Sequence, residues 1–348
     1  MSLSLRRRVV KWSFGTILVL SASVVSAQRP LNMNDYDLRN QYGTMPGLND
    51  QNPNQIQYGN IGGVVDNNAP QEADTTQKPP KIRKPLESYF FDDSTRSRQS
   101  FAWRVNLERN DVAIIEVDTA LNGFQNDYPF LQNNVGSAML GNMGGASVPL
   151  DFFLRPQYSD FTFAQAFDAY LMTPERARFF NVKKPFTHLS YFMSGATQHL
   201  EEGLWVTHAQ NVSPSTGFNL DYKSRGTRGQ YEWQGAREKN LSLAFSHTGK
   251  KYSVHAGYIY NMGNLKENGG ILRDRDITDT VFERPELLDV RLNDARNLFK
   301  NNTFYVVQSY GVPLRQLTDE DFSIARNSTI FFGYSFLYSR FYKRYTDT

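Results

Sequence analysis

Hydrophobic and polar residues alternate along the second half of the chain. The alternation is clear in the segments FTHLSYFMSG, TGFNLDYKSRG, LSLAFSHT, KYSVHAGYIYN, TFYVVQSYG and FFGYSFLYSRFYKRY. A period of two is the signature of a β-strand with two different faces. The segments approach the ~9–11 residues of a tilted membrane strand and exceed the ~5–6 residues of a typical soluble strand. The pattern therefore predicts long antiparallel strands within residues 183–348.

The same alternation assigns the side chains of these strands to two faces. On the apolar face we expect lipid contact for Phe218, Leu220, Tyr222, Phe332, Tyr334, Phe336 and Tyr338. On the polar face we expect a lumen lined by Asn219, Asp221, Lys223, Ser253, His255 and Gln308. Aromatic residues crowd the strand ends, as in the girdles of outer-membrane barrels. The predicted fold is all-β, an antiparallel transmembrane β-barrel, because lipid admits only closed sheets.

The connections between the predicted strands differ in length. HTGKKY is a tight turn, whereas residues 262–300 contain a long polar loop. Short turns on one side and long polar loops on the other are typical of outer-membrane barrels. Alternation by itself also fits a soluble β-sandwich or a lectin-like surface domain, which is the alternative fold.

The first residues predict the compartment. A basic start, an apolar middle and small residues up to Ala27 form the layout of a secretory signal peptide over residues 1–27, with cleavage after Ala27. An uncleaved membrane anchor is the alternative, but the apolar run is short for a spanning helix of ~20 residues. Residues 28–85 are rich in Asn, Gln, Asp, Gly and Pro, which predicts a disordered periplasmic arm or linker.

Residues 86–182 give mixed signals. FAWRVN and VAIIEVDTAL predict two strands around a turn at Asn110 and Asp111. FTFAQAFDAYLMTPERARFF predicts a short helix or a wide loop. We interpret this part of the chain as a set of first strands and loops that precede the regular strands.

Composition excludes several classes of protein. Aromatic residues make up 14% of the chain, yet the mean hydropathy is −0.54, and no long apolar run follows the signal peptide. This excludes helical membrane spans. The net charge of +3 gives no indication of nucleic-acid binding. The chain has no cysteine, so disulfides and thiolate metal sites are excluded.

No pattern of residues predicts catalysis. The five histidines lack the spacing of a zinc site, and Ser246 and His247 fall on opposite faces of one strand. The glycines at 141, 144 and 145 lack the lysine and hydroxyl residue of a phosphate-binding loop. Asp274, Asp276 and Glu267 could bind calcium, but an ordinary solvated loop explains them as well. We expect no enzyme activity, no cofactor and no metal.

A succession of short motifs resembles a known family. VDTAL, LGNMGGAS, KPFTHLSYFMSG, VTHAQNVSP, LKENGGI and LNDARNLFKNNTFYVVQSYGVPL are similar to the Putative porin family of the Bacteroidetes, over roughly residues 86–348. The resemblance implies an outer-membrane β-barrel of porin type whose N-terminal part precedes the barrel or plugs it. Family members usually continue past RYTDT, so we expect a truncated sequence; a complete barrel of about eight strands is the alternative.

These observations together predict an outer-membrane porin of a Gram-negative bacterium. Small hydrophilic solutes would diffuse passively through the polar lumen, with selectivity set by its width and charges. The expected partners are outer-membrane lipid, these solutes and the barrel-assembly machinery. A non-transporting adhesin or assembly partner, acting through the loop within residues 262–300, is the main alternative function. An outer-membrane enzyme is a third.

Overall fold

The computed structural model describes residues 2–17 as backbone, together with residues 86, 90–91, 95, 98, 100–117, 128–131, 136–155, 160–278, 284–313 and 329–347. The predicted cleavage site at Ala27 and the predicted arm at 28–85 lie outside these residues.

Strands dominate the described part of the chain. In chain order they are β1 (Ser2–Ile17), β2 (Ser100–Val105), β3 (Val112–Ile115), β4 (Ser137–Met139), β5 (Ser147–Pro149), β6 (Phe179–Val182), β7 (Phe186–Ser194), β8 (Glu201–Ser213), β9 (Thr216–Thr227), β10 (Ala236–Thr248), β11 (Tyr252–Lys266), β12 (Arg296–Pro313) and β13 (Thr329–Thr346). Short 3-10 helices occupy Pro129–Leu131, Phe152–Leu154, Thr162–Tyr170, Thr197–His199, Asp274–Ile277 and Pro285–Leu287. The segment predicted as a short helix or a loop therefore contains a 3-10 helix at Thr162–Tyr170.

Eight of the strands form one antiparallel sheet, the main sheet. Their order is β1-β13-β12-β11-β10-β9-β8-β7, so the strands from β7 to β13 pair in sequence as a meander. β1, which the sequence predicts as the start of a signal peptide, pairs with β13 and places Arg8 opposite Arg340. Among the described residues no pairing joins β1 to β7, and the sheet is open at these two strands.

The main sheet buries its polar face and exposes its apolar face, which is the reverse of the arrangement in a soluble protein. On β10, Asn240 and Ser242 are 4% and 1% exposed, whereas Leu243 and Phe245 are 41% and 44% exposed. We call the face that bears Asn240 and Ser242 the inner face and the opposite face the outer face. Because successive side chains point to opposite faces, a single alternating sequence produces both the buried polar face and the exposed apolar face.

A second, three-stranded sheet covers the inner face. Its order is β3-β2-β6, and we call it and its flanking segments within residues 86–182 the inner layer. The two predicted strands are β2 and β3, and the turn between them places Asn110 at φ 58°. Apolar side chains of the inner layer and of the main sheet form one core, which contains Phe91, Phe101, Trp103, Val105, Leu107, Phe179, Ala244, Ile259, Tyr305, Val307 and Leu337.

One glycine allows an aromatic ring to lie flat against the inner face. Gly257 on β11 is paired directly with Tyr305 on β12. A Cβ atom at Gly257 would lie 2.4 Å from the Tyr305 ring, so only glycine leaves space for the ring. The buried Tyr305 then packs in the core beneath the inner layer.

No helix among the described residues combines the length and the apolar character needed to cross a membrane.

Candidate functional site

The structure places five of the six predicted lumen residues on the inner face. Asn219, Asp221, Ser253 and His255 are buried there, and Lys223 lies on the same face with partial exposure.

Gln308, the sixth, lies on the outer face. Val307 and Ser309 of β12 point inward, so Gln308 between them points outward, where its side-chain oxygen accepts a hydrogen bond from the Tyr252 hydroxyl at 3.1 Å. Its assignment to the lumen followed its polarity, whereas its position in the alternation places it with the exposed Tyr310.

The residues predicted to contact lipid share the outer face. Phe218, Phe332 and Tyr334 are exposed, and the other four, which are Leu220, Tyr222, Phe336 and Tyr338, are partly buried by their neighbours. Strand register brings these side chains into cross-strand pairs such as Phe218 with Phe245 and Tyr338 with Phe304. The outer face therefore presents a continuous apolar and aromatic surface from β9 to β13.

His255 is enclosed by the inner layer. The indole Nε1–H of Trp103 donates a hydrogen bond to Nε2 of His255 at 3.0 Å, and the Phe179 ring lies 4.9 Å from the imidazole. A part of the predicted lumen is therefore filled by side chains of the inner layer.

Asp221 makes a second polar contact between the main sheet and the inner layer, in addition to the hydrogen bond between Trp103 and His255. Its Oδ1 accepts hydrogen bonds from the Arg178 guanidinium at 2.7 Å and from the Thr207 hydroxyl. The Asp221 side chain is 2% exposed, so this is a buried ion pair with an additional hydrogen bond. Removing either partner of such a pair would leave an uncompensated buried charge.

A ladder of amides crosses three strands beside these anchors. The Asn240 side chain donates to Asn261 at 2.8 Å, and Asn261 donates to Asn301 at 3.1 Å. Asn261 also bonds the backbone N–H and C=O of Met172, at 2.9 and 2.8 Å. The ladder therefore fixes the chain that leaves the Thr162–Tyr170 helix against the inner face.

A cavity of about 710 Å³ lies between the inner layer and the inner faces of β8, β9 and β10. Among the described residues that line it, six side chains are cationic and one, Asp168, is a carboxylate. The cations, which define what we call the basic pocket, are Arg104, Arg155, Arg176, Arg178, Lys223 and Arg225.

Trp205 lies at the centre of these charges. The Lys223 Nζ is 4.2 Å from the centroid of its indole ring, and the Arg178 guanidinium is 5.2 Å from it. Both cations are within cation–π distance, so the indole holds them close to each other and to the pocket.

The pKa of Arg104 reflects both its burial and the positive charges near it. Burial lowers the pKa of the Arg104 guanidinium below its usual value, and the nearby charges of Arg178 and Arg176 lower that pKa further. The contributions of Arg178 and Arg176 place these two guanidinium groups and that of Arg104 in one region of positive potential.

Sequence reasoning identified Lys223 but missed the arginines. Arg225 has the same parity on β9 as Asp221 and Lys223, and extending the alternation by one step would have found it. Arg104 and Arg178 come from the inner layer, whose position against β9 no local pattern indicates. Among the described residues no group of three or more His, Asp or Glu side chains is placed to hold a metal ion.

The comparisons with known proteins give one family. The family model described as "Putative porin" matches residues 99–348, a range that contains β2 to β13 and the whole basic pocket. The search of curated proteins and the search of solved structures returned no match. Because the model covers more than half of the chain, the chain belongs to the Putative porin family.

Proposed function

We propose that the chain is an outer-membrane porin of a Gram-negative bacterium, through which small hydrophilic solutes diffuse passively. The observation that carries the proposal is the reversed polarity of the main sheet, with Ser242 buried on the inner face and Leu243 exposed on the outer face. A water-filled interior and a lipid exterior are the two environments that stabilise this arrangement. The proposal includes no covalent chemistry.

The outer face supports contact with lipid. Monomeric soluble proteins rarely expose a contiguous apolar surface larger than a few hundred Å². Here the exposed Leu243, Tyr258 and Phe304 lie opposite one another on the successive strands β10, β11 and β12 and extend one apolar surface across the sheet. Lipid would cover this surface and remove the cost of exposing it to water.

Strand length also supports a membrane location. β12 and β13 contain 18 residues each. At ~3.3 Å per residue such a strand is about 60 Å long, enough to cross a hydrocarbon core of ~30 Å at a steep tilt and to extend beyond it.

A membrane location requires the sheet to close into a barrel. An open edge in lipid would leave backbone N–H and C=O groups without partners, at several kcal/mol each. Signal-peptide cleavage after Ala27 would remove β1 from the sheet and free the edge of β13 for this closure. The barrel-assembly machinery would carry out the insertion.

The connections give an orientation for the barrel. Residues 195–200, 228–235 and 267–295 connect strands at one end of the main sheet. At the other end two of the three connections, 214–215 and 249–251, are short turns, and residues 314–328 form the third. Long loops outside and short turns in the periplasm is the usual arrangement in bacterial barrels. We place the end with residues 267–295 at the cell surface.

Conductance of the full-length protein in a planar lipid bilayer tests the proposal. A porin gives discrete current steps that persist without an applied ligand. A correctly folded, inserted protein that gives no steps would overturn the transport role and favour the adhesin or assembly-partner alternative. Recovery of the native protein from the soluble periplasm would overturn the membrane location as well.

A further inference from the structure

The basic pocket contains more positive charge than its carboxylates neutralise. Three of its cations have acidic partners: Arg178 pairs with Asp221 at 2.7 Å, Arg225 with Glu238 at 3.4 Å and Arg176 with Asp168 at 2.6 Å. Each of these three carboxylates is therefore paired with one cation, and three cations of the pocket lie outside these pairs.

The remaining cations are Lys223, Arg104 and Arg155. Within the described part of the chain, none of the three has a carboxylate at ion-pair distance. Lys223 lies over the Trp205 ring, which attracts its ammonium group without neutralising the charge. Arg155 donates from Nε to the carbonyl oxygen of Pro149 at 3.0 Å, a contact that also leaves its charge in place.

These unneutralised charges face an open volume of suitable size. A cavity of about 710 Å³ falls in the range of ~300–1,000 Å³ that small-molecule sites occupy. Its wall also contains the rings of Phe130, Tyr170 and Trp205 and the amide of Gln165, which can contact the uncharged part of a solute. Cations that converge on such a space bind carboxylate or phosphate groups through charge-assisted hydrogen bonds.

We propose that the basic pocket is a binding site for small anionic solutes and gives the porin a preference for anions. Lys223 of the wall and Arg104 of the inner layer would contact the anionic group from two sides. The site would raise the local concentration of such solutes inside the protein. The transport part of this inference rests on the proposed function, whereas binding at the pocket does not.

Binding is tested with succinate and with succinamide, its neutral analogue of nearly the same shape. Isothermal titration of the full-length protein in detergent micelles should show binding of succinate, weakening as salt is added, and none of succinamide. Lys223→Gln and Arg104→Gln should each weaken succinate binding about tenfold, the usual effect of losing a hydrogen bond to a charged group.

Two further variants are the controls. Lys239→Gln removes the same charge on the outer face of β10, and it should bind succinate like the unmodified protein. Lys223→Arg keeps the charge and should retain most of the affinity. Circular dichroism of each variant establishes that it is folded, so a loss of binding reports on the site.

Ion selectivity is tested by the reversal potential across a bilayer with a KCl gradient. The unmodified protein should prefer chloride, the double variant Lys223→Gln/Arg104→Gln should lose most of that preference, and Lys239→Gln should keep it. A protein that binds succinate but conducts no current would overturn the transport role and support the site. A conducting protein without anion preference and without succinate binding would overturn the site alone, as would equal effects of Lys223→Gln and Lys239→Gln.

Discussion

Trp103 and His255 form a buried hydrogen bond that joins the inner layer to the main sheet. The two residues are 152 positions apart in the chain, and the indole Nε1–H donates to the imidazole Nε2 at 3.0 Å. Both side chains are almost fully buried. The bond makes His255 a structural acceptor rather than an open lumen group, so one polar position of the main sheet holds the inner layer in place.

Trp103→Phe should lower the stability of the folded protein by about 1–3 kcal/mol, because the imidazole nitrogen is left buried without a donor. The matched control is Trp233→Phe, whose indole bonds the carbonyl oxygen of Ala295 at 2.8 Å in a partly exposed site that water can reach. Urea unfolding of the protein in lipid vesicles, followed by its gel mobility, measures both. An equal loss of stability in the two variants would contradict the anchoring role of the buried bond.

Arg178→Leu should lower stability by about 3–5 kcal/mol. The change leaves the Asp221 carboxylate, 2% exposed, without its cation. Arg176→Leu is the control, because its partner Asp168 is 34% exposed and water can solvate the carboxylate after the change. That variant should lose no more than about 1 kcal/mol.

The comparison of these two arginine variants uses the same unfolding assay. Combining Arg178→Leu with Asp221→Leu should restore part of the lost stability, since both buried charges are then gone. A double variant that is as unstable as Arg178→Leu would show that the loss comes from packing rather than from the uncompensated carboxylate.

Gly257→Ala should lower stability by about 1–3 kcal/mol, the usual effect of inserting a methyl group into a packed core. The new Cβ atom would lie 2.4 Å from the Tyr305 ring. Tyr305→Ala removes the ring and makes room for the methyl group, so the double variant should lose less stability than the sum of the two single variants. Additive losses in the unfolding assay would contradict the close approach of the ring to Gly257.

The alternation of residues was sufficient to predict β7 and the strands from β9 to β13, and the two faces of most of them. It failed at Gln308, where residue polarity was given more weight than position in the strand. It also could not show that the buried Ser335 donates a hydrogen bond to the carbonyl oxygen of Leu107 at 2.7 Å. Contacts of this kind depend on how the inner layer packs, and period-two patterns carry no information on packing between layers.

The basic pocket could not be predicted from the sequence for the same reason. Lys223 was predicted as an inward-facing residue from its place on β9, but its neighbour Arg104 lies on β2, far earlier in the chain. The two side chains line the same pocket only because β2 and β6 pack against the inner face. A cluster assembled from two layers has no spacing that a single strand could reveal.

Two exposed leucines distinguish a membrane face from a solvent face. Leu243 is 41% exposed on the outer face of β10, and Leu272 is 48% exposed in the connection between β11 and β12. In water, Leu243→Arg and Leu272→Arg would have similarly small effects, since each adds a charge to an already exposed position. In a bilayer, an arginine on the lipid face near the midplane costs about 2–4 kcal/mol, whereas a surface loop tolerates it. We therefore expect Leu243→Arg to impair insertion into lipid vesicles and Leu272→Arg to insert like the unmodified protein, as measured by resistance of the inserted protein to added protease. Equal insertion of the two variants would contradict the placement of the outer face in lipid, and with it the assignment of Phe218, Phe332 and Tyr334 to the same surface.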